Sequence, residues 1–430
     1  MSSSGAPGAE QVQPSGLPAS LLALFGAMTA LGVVAFFAGL ATDAATTWRA
    51  FHVNYIYFAA IAQGGVVLSC TFVIVGARWP GPVRRMAEGL GAWVPVTFVL
   101  AIIGFAFGRH HIYPWIADPL PWKAAWLNEG RMVLMDLGIL FVLTILTHLY
   151  LKASVRPALQ GAAENASGLA GTLFARWTTN WKGEAAEREA SLRRTRVLAP
   201  GICLLYAFGY TFIGFDQVMS LSPTWFSNLF GGYFAWGGFL GAITATTVLC
   251  VLHRKHPGLE GEVSRERLHD LGKMIFAFSI FWMYLFFSQY LVIWYGNLPE
   301  ETQFFAARLG TEFLQSTWYF DGWADRIWNQ PYVKVTLFAW VCCWVIPFWF
   351  LLGQKPKKTW WFVGSVAAIS SLGFWVERNI LIWPSLVPDD TWSFLGWIQI
   401  GIAIGFLGAF ALCYLTYTRV FPGLAVPRTS

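Results

Sequence analysis

Charge is what this sequence has least of. Only 12% of its 430 residues are Asp, Glu, Lys or Arg, about half the share of a soluble globular chain. The net charge of +6 does not mark a nucleic-acid binder, because the basic residues sit in short segments between apolar runs. Metal and haem motifs are missing too. The six cysteines are Cys70, Cys203, Cys250, Cys342, Cys343 and Cys413. None forms C-x-x-C or C-x-x-C-H, which excludes an iron–sulfur cradle and a c-type haem attachment in this chain. All lie in apolar runs and read as small buried fillers. Of the seven histidines, only His52 and His148 fall in apolar runs, at opposite ends, so no facing pair is offered to a b-type haem and no metal set is expected. No GxGxxG or P-loop pattern occurs in a strand–helix context. The opening "MSSSGAPGAEQVQPSG" lacks the basic stretch of a signal peptide and reads as a flexible tail before an uncleaved span.

What is present is apolar and aromatic. The chain is 56% hydrophobic, with 24 Trp and 36 Phe, and its mean hydropathy is +0.52. A membrane span needs about 20 predominantly apolar residues. Ten such runs lie at roughly 18–42, 52–76, 89–108, 131–152, 197–216, 227–252, 272–295, 332–353, 360–383 and 393–417. The expected fold class is all-α, a polytopic membrane protein with ten transmembrane helices. A single membrane domain, 18–417, is expected between tails 1–17 and 418–430.

Ten spans put both termini on one side, and the Lys/Arg distribution chooses it. Of the 29 basic residues, 21 fall on the side of the termini, 7 on the other, and Arg378 lies within a span. Both termini are therefore expected in the cytoplasm. The longest loop, about 152–196, is cytoplasmic on this reading, and its "EAAEREASLRRTR" is expected to be helical. The Trp/Pro-rich "HHIYPWIADPLPWKAAWLNEG" and "LPEETQFFAARLGTEFLQSTWYFDGWADRIWNQP" face outward, on the membrane surface or against a partner.

Orientation gives depth. His52 and Asn54 fall near the outer end of the second span. Arg131 opens the fourth, with Asp136 about 7–8 Å further in. Asp216 ends the fifth. Gln289 and Tyr290 lie in the outer half of the seventh, and Glu377 and Arg378 in the outer third of the ninth. Ionisable groups at membrane depth are costly unless paired or facing a cavity, so these residues are the candidate site. Neighbours on a helix point about 100° apart, which makes Asp136 and Asp216 the expected partners of Arg378. The structural alternatives are interface anchoring for Glu377 and Arg378 and helix capping for Asp216. The inner half offers His148, Thr144 and Ser279 as a weaker candidate proton path.

Several stretches carry a resemblance: "WLNEGRMVLMDLGIL", "FDQVMSLSPTWFSNLFGGYF", "FWMYLFFSQYLVIWYGNLPEET" and "ERNILIWPSLVPDD" followed by "FLGWIQIGIAIGFLGAF". Together, over about residues 48–415, the chain resembles the ActF-type, quinone-binding-type membrane subunits of bacterial alternative complex III. These belong to the wider NrfD/polysulfide-reductase membrane-subunit family. The resemblance implies two four-helix bundles, about 52–216 and 227–383, with two peripheral helices. It implies residence in the bacterial cytoplasmic membrane. The implied partners are a homologous NrfD-like membrane subunit, an iron–sulfur subunit, multihaem and monohaem cytochromes c and a terminal oxidase. Haem c and iron–sulfur clusters would reside only in those partners. Such a complex oxidises quinol and passes electrons to a cytochrome c or oxidase, and this subunit would supply a quinone-type pocket, a proton path, or both. No quinone-ring histidine lies deep in the first bundle, only His52 at a span end. The competing readings are a secondary transporter and a purely structural membrane anchor.

Overall fold

The computed structural model describes residues 18–159, 168–255, 259, 261–309, 332–388 and 395–421. The expected tails at 1–17 and beyond 421, and most of the outer loop at 310–331, lie outside these residues. Among the described residues the chain is helical and contains no strand.

Among the described residues ten long helices follow one another: α1 (Ala19–Thr42), α2 (Ala44–Ile74), α3 (Pro82–Ile112), α4 (Glu129–Val155), α5 (Glu184–Gln217), α6 (Phe230–His253), α7 (Arg265–Gly296), α8 (Val333–Phe350), α9 (Trp360–Leu386) and α10 (Trp397–Val420). All but α9 are long and apolar enough to cross a membrane. α9 matches them in length at 27 residues but carries Glu377 and Arg378. The "EAAEREASLRRTR" segment is helical and continuous with the following span, making α5 a single rod of 34 residues.

Local chemistry sets the ends. The Asp43 carboxylate accepts the Thr46 N–H at 3.0 Å and starts α2. Asn128 does the same for Arg131 at the start of α4, and Ser264 for Arg267 at the start of α7. Such caps satisfy N–H groups that have no partner within the helix. Asn297, in the left-handed region at φ 46°, stops α7.

Prolines account for the irregular turns. Pro95 has no N–H for the Gly91 carbonyl, and a 3-10 turn over Gly91–Trp93 brings the Val94 N–H there instead. Pro347 likewise deprives Cys343, and α8 widens into a π turn over Val341–Val345. A second π turn, Gly104–Gly108, interrupts α3. Inside α9, Pro384 leaves the Ile380 carbonyl without its helical donor. Arg308, on the short helix Pro299–Leu309, supplies it: Nε donates to Ile380 O at 3.0 Å, and Nη2 to Leu381 O at 2.9 Å and Ser385 Oγ at 2.7 Å. Burial pulls the Arg308 guanidinium down to about 9, still cationic at neutral pH.

α2 and α6 are the most enclosed helices, while α1, α4 and α7 keep most of their apolar surface outward. α2 packs on α5, α6, α9 and α10; α4 on α3 and α5; α6 on α5, α7 and α9; and α8 on α9. α1 packs mainly on α10. There Gly32 meets Gly405 so closely that a methyl group on either would land on the other's backbone. Close backbone approach through small residues is the usual device for packing helices where lipid supplies no hydrophobic drive.

Candidate functional site

The α2 N-terminus, the α5 C-terminus and the α9 C-terminus share one end of the molecule. The polar residues buried there form two clusters rather than the single layer expected from depth alone.

The first cluster lies among α2, α4 and α5. Arg131 Nη2 meets Asp216 Oδ1 at 2.6 Å, and the arginine stacks 4.2 Å over the Trp126 ring. Asp136 accepts from Gln217 Nε2 at 2.9 Å. His52 Nε2 lies 2.8 Å from the Gln217 carbonyl, with Tyr113 edge-on to its ring. One oxygen each of Asp136 and Asp216 is buried without a hydrogen-bond partner. Gln217 joins His52 to Asp136 and was not singled out in the sequence; its only signal was adjacency to Asp216.

The second cluster lies among α6, α7, α8 and α9. Glu377 and Arg378 are 4% and 1% exposed, so both are enclosed by protein and neither reaches toward an interface. Neither Asp136 nor Asp216 holds Arg378, contrary to the expectation from sequence. Arg378 Nη2 donates to the Phe234 carbonyl at 2.9 Å, the guanidinium lies 4.3 Å over the Phe234 ring, and Nε is 3.5 Å from Glu377 Oε2. Gly237 makes room for it, since a Cβ there would sit 2.9 Å from Nη2.

The Glu377–Arg378 contact is longer than a good N–H···O bond, about 2.7–3.2 Å. Neither Glu377 oxygen makes a well-formed hydrogen bond, and Arg378 Nη1 has none; the Tyr233 hydroxyl is the polar group that faces the carboxylate. Glu377 instead lines a cavity of about 50 Å³ with Tyr233, Trp282, Gln289, Arg308 and Thr336. A water needs roughly 10–15 Å³ of such space, so the cavity has room for a few waters. Ligand pockets of about 300–1,000 Å³ are the norm, and a quinone headgroup does not fit here. Gln289 accepts from Ser227 Oγ at 3.2 Å, and Tyr290 packs edge-on against Phe305. Asn54 belongs to neither cluster but ties α2 to α9, accepting from Trp375 Nε1 at 3.0 Å.

The inner-half candidates are not brought together. Thr144 donates to Leu140 O and Ser279 to Phe276 O, each within its own helix. His148 is exposed and edge-on to Trp177 at 5.5 Å. The polar centre at that end is one the sequence reading missed. Glu88, wholly buried, accepts from Arg84 at 3.0 Å, Arg85 at 2.7 Å, Ser69 at 2.8 Å and Ser154 at 2.7 Å. Tyr150 closes the knot on Ser69 at 2.8 Å. Arg84 and Arg85 read as loop charges from sequence, but the helix begins at Pro82 and Glu88 lies i+4 and i+3 from them. That spacing was the available signal.

Among the described residues, no three His, Cys, Asp or Glu side chains gather as metal donors. Comparison of the chain with protein-family models and with curated proteins finds no match.

Proposed function

We propose that the chain is an integral membrane subunit of a quinol-oxidising respiratory complex and that Glu377 is its proton-accepting group. The carrying observation is the state of Glu377: buried, without a well-formed hydrogen bond, faced by the Tyr233 hydroxyl, and on the wall of a cavity sized for a few waters. A purely structural buried carboxylate is saturated with donors, as Glu88 is. One left without well-formed hydrogen bonds on a cavity wall has room beside it for the waters that would carry a proton to and from it.

The respiratory assignment draws on the resemblance of "SQYLVIWYGNLPEET" and its companion stretches to alternative complex III membrane subunits. The helix pairings support a reading as ten spans, two four-helix bundles and two peripheral helices. The 21-to-7 basic asymmetry supports cytoplasmic termini, and the resemblance supports a bacterial inner membrane. The electron carriers, haem c and iron–sulfur, belong on this reading to partner subunits, and quinol is oxidised at a site outside the Glu377 cavity.

Glu377→Gln in the assembled complex tests the proposal. The amide preserves shape but cannot exchange a proton. Assembly should be retained, while turnover and proton release fall together. Unchanged proton release in fully assembled complex removes the assignment.

A further inference from the structure

A second concavity lies on the outer flank of the molecule, between α3 and α4. It measures about 610 Å³, and its walls are Phe98, Val133, Leu134, Leu137 and Phe141. Gly138 forms part of its floor, where a Cβ would meet nothing within 4 Å. Leu134, 78% exposed, projects at its edge. The mouth carries one charge of each sign: Arg109 Nε meets Glu129 Oε2 at 2.9 Å, and both side chains remain partly exposed.

The cleft runs from Arg109 to Phe98 on α3 and from Glu129 to Phe141 on α4. At 1.5 Å per residue that is about 16–18 Å, close to half of a hydrocarbon core about 30 Å thick. A partner's transmembrane helix would need the full depth. An acyl chain needs one leaflet, with its headgroup at the charged end. The headgroup chemistry follows from the pair at the mouth. Arg109 Nε is held by Glu129 and Nη1 by the Phe105 carbonyl at 2.8 Å, which leaves Nη2 for a phosphate oxygen, and a primary ammonium suits Glu129.

We propose that this cleft is a binding site for a phospholipid with a zwitterionic, primary-amine headgroup, of the phosphatidylethanolamine type. The acyl chain lies along Phe98, Leu137 and Phe141, and the headgroup bridges Arg109 and Glu129. The proposal depends on membrane residence and not on the respiratory assignment.

The test is native mass spectrometry of the full-length chain, from mild detergent, after incubation with equimolar phosphatidylethanolamine and phosphatidylglycerol. Wild type should retain one phosphatidylethanolamine with about tenfold preference, the worth of one charge-assisted hydrogen bond. Glu129→Gln should retain lipid but lose the preference. Gly138→Leu, which fills the floor without a clash, should lose the bound lipid, while Gly26→Leu on the open face of α1 should keep it. Equal retention of the two lipids by wild type, a preference that survives Glu129→Gln, or lipid retained by Gly138→Leu overturns the proposal. A photo-reactive phenylalanine analogue at Leu134 provides the second measurement in cells. Its cross-link should carry a phospholipid, and capture of a protein subunit or a quinone instead overturns the site.

Discussion

Arg308 and Pro384 complete one another. The proline withholds an N–H from the Ile380 carbonyl, and the arginine Nε, 3.0 Å away, provides one from a different helix. Arg308→Ala strands that buried carbonyl and should cost about 3 kcal/mol. Pro384→Ala restores the helical donor. In its background the loss from Arg308→Ala should therefore shrink by about 1 kcal/mol. Thermal unfolding of the four proteins in one detergent measures the coupling, and strict additivity would rule the relationship out.

The Arg131–Asp216 pair should respond unequally to loss of either partner. The Asp216 side chain is wholly enclosed, while Arg131 is 24% exposed. Arg131→Ala leaves a carboxylate buried without a cation and should cost roughly 3 kcal/mol, the low end for a broken buried pair. Asp216→Asn leaves an arginine able to reach water and stack on Trp126, at a cost of about 1 kcal/mol. Equal losses in unfolding experiments would mean that the aspartate is wetter than the geometry shows.

One substitution type should give opposite results at two sites. Glu88 accepts from Arg84, Arg85, Ser69 and Ser154. An amide in its place points hydrogens at donors, so Glu88→Gln should lower stability by about 3–5 kcal/mol and reduce the yield of folded chain. Glu377→Gln gives up only the long 3.5 Å contact to Arg378 and should cost no more than about 1 kcal/mol, with the yield of folded chain unchanged. Size-exclusion profiles of the two variants separate the outcomes, and a damaged Glu377→Gln would make that residue structural.

Gly405→Leu places a side chain where α10 touches the α1 backbone at Gly32. Overpacking of this kind costs about 1–3 kcal/mol. The expected result is a lowered melting temperature in one detergent, and an unchanged one would show that the helices slide to accommodate the side chain.

The spans were legible in the sequence because lipid imposes one strong rule. Each predicted run overlaps one long helix, several overrunning its ends by a few residues, and the largest discrepancies have local causes. Asp43 caps α2 well before the apolar run begins, and α5 extends its charged half beyond the hydrophobic core. Azimuth was not legible: α4 packs mainly on α3 and α5, and α9 on α2, α6 and α8, so Asp136 and Arg378 each found nearer partners. Gln217 and Phe234 O carry no charge and gave no signal as those partners. Glu88 was missed because Pro82 starts α3 earlier than hydropathy does. Its arginines are neutralised inside the fold, whereas a count of basic residues treats them as loop charges.

The contact between α1 and α10 has a consequence for biosynthesis. α1 meets its main partner only when α10 emerges from the ribosome. At 5–20 residues per second that delay is roughly half a minute. During it α1 has little but the bilayer and a few contacts with α2 to hold it. Its sequence, "ASLLALFGAMTALGVVAFFAGLAT", contains no charged residue, and Thr29 bonds its hydroxyl back to the Phe25 carbonyl. A helix that must wait alone in lipid is built to be self-sufficient there, and the glycines along its face stay bare until α10 arrives to cover them.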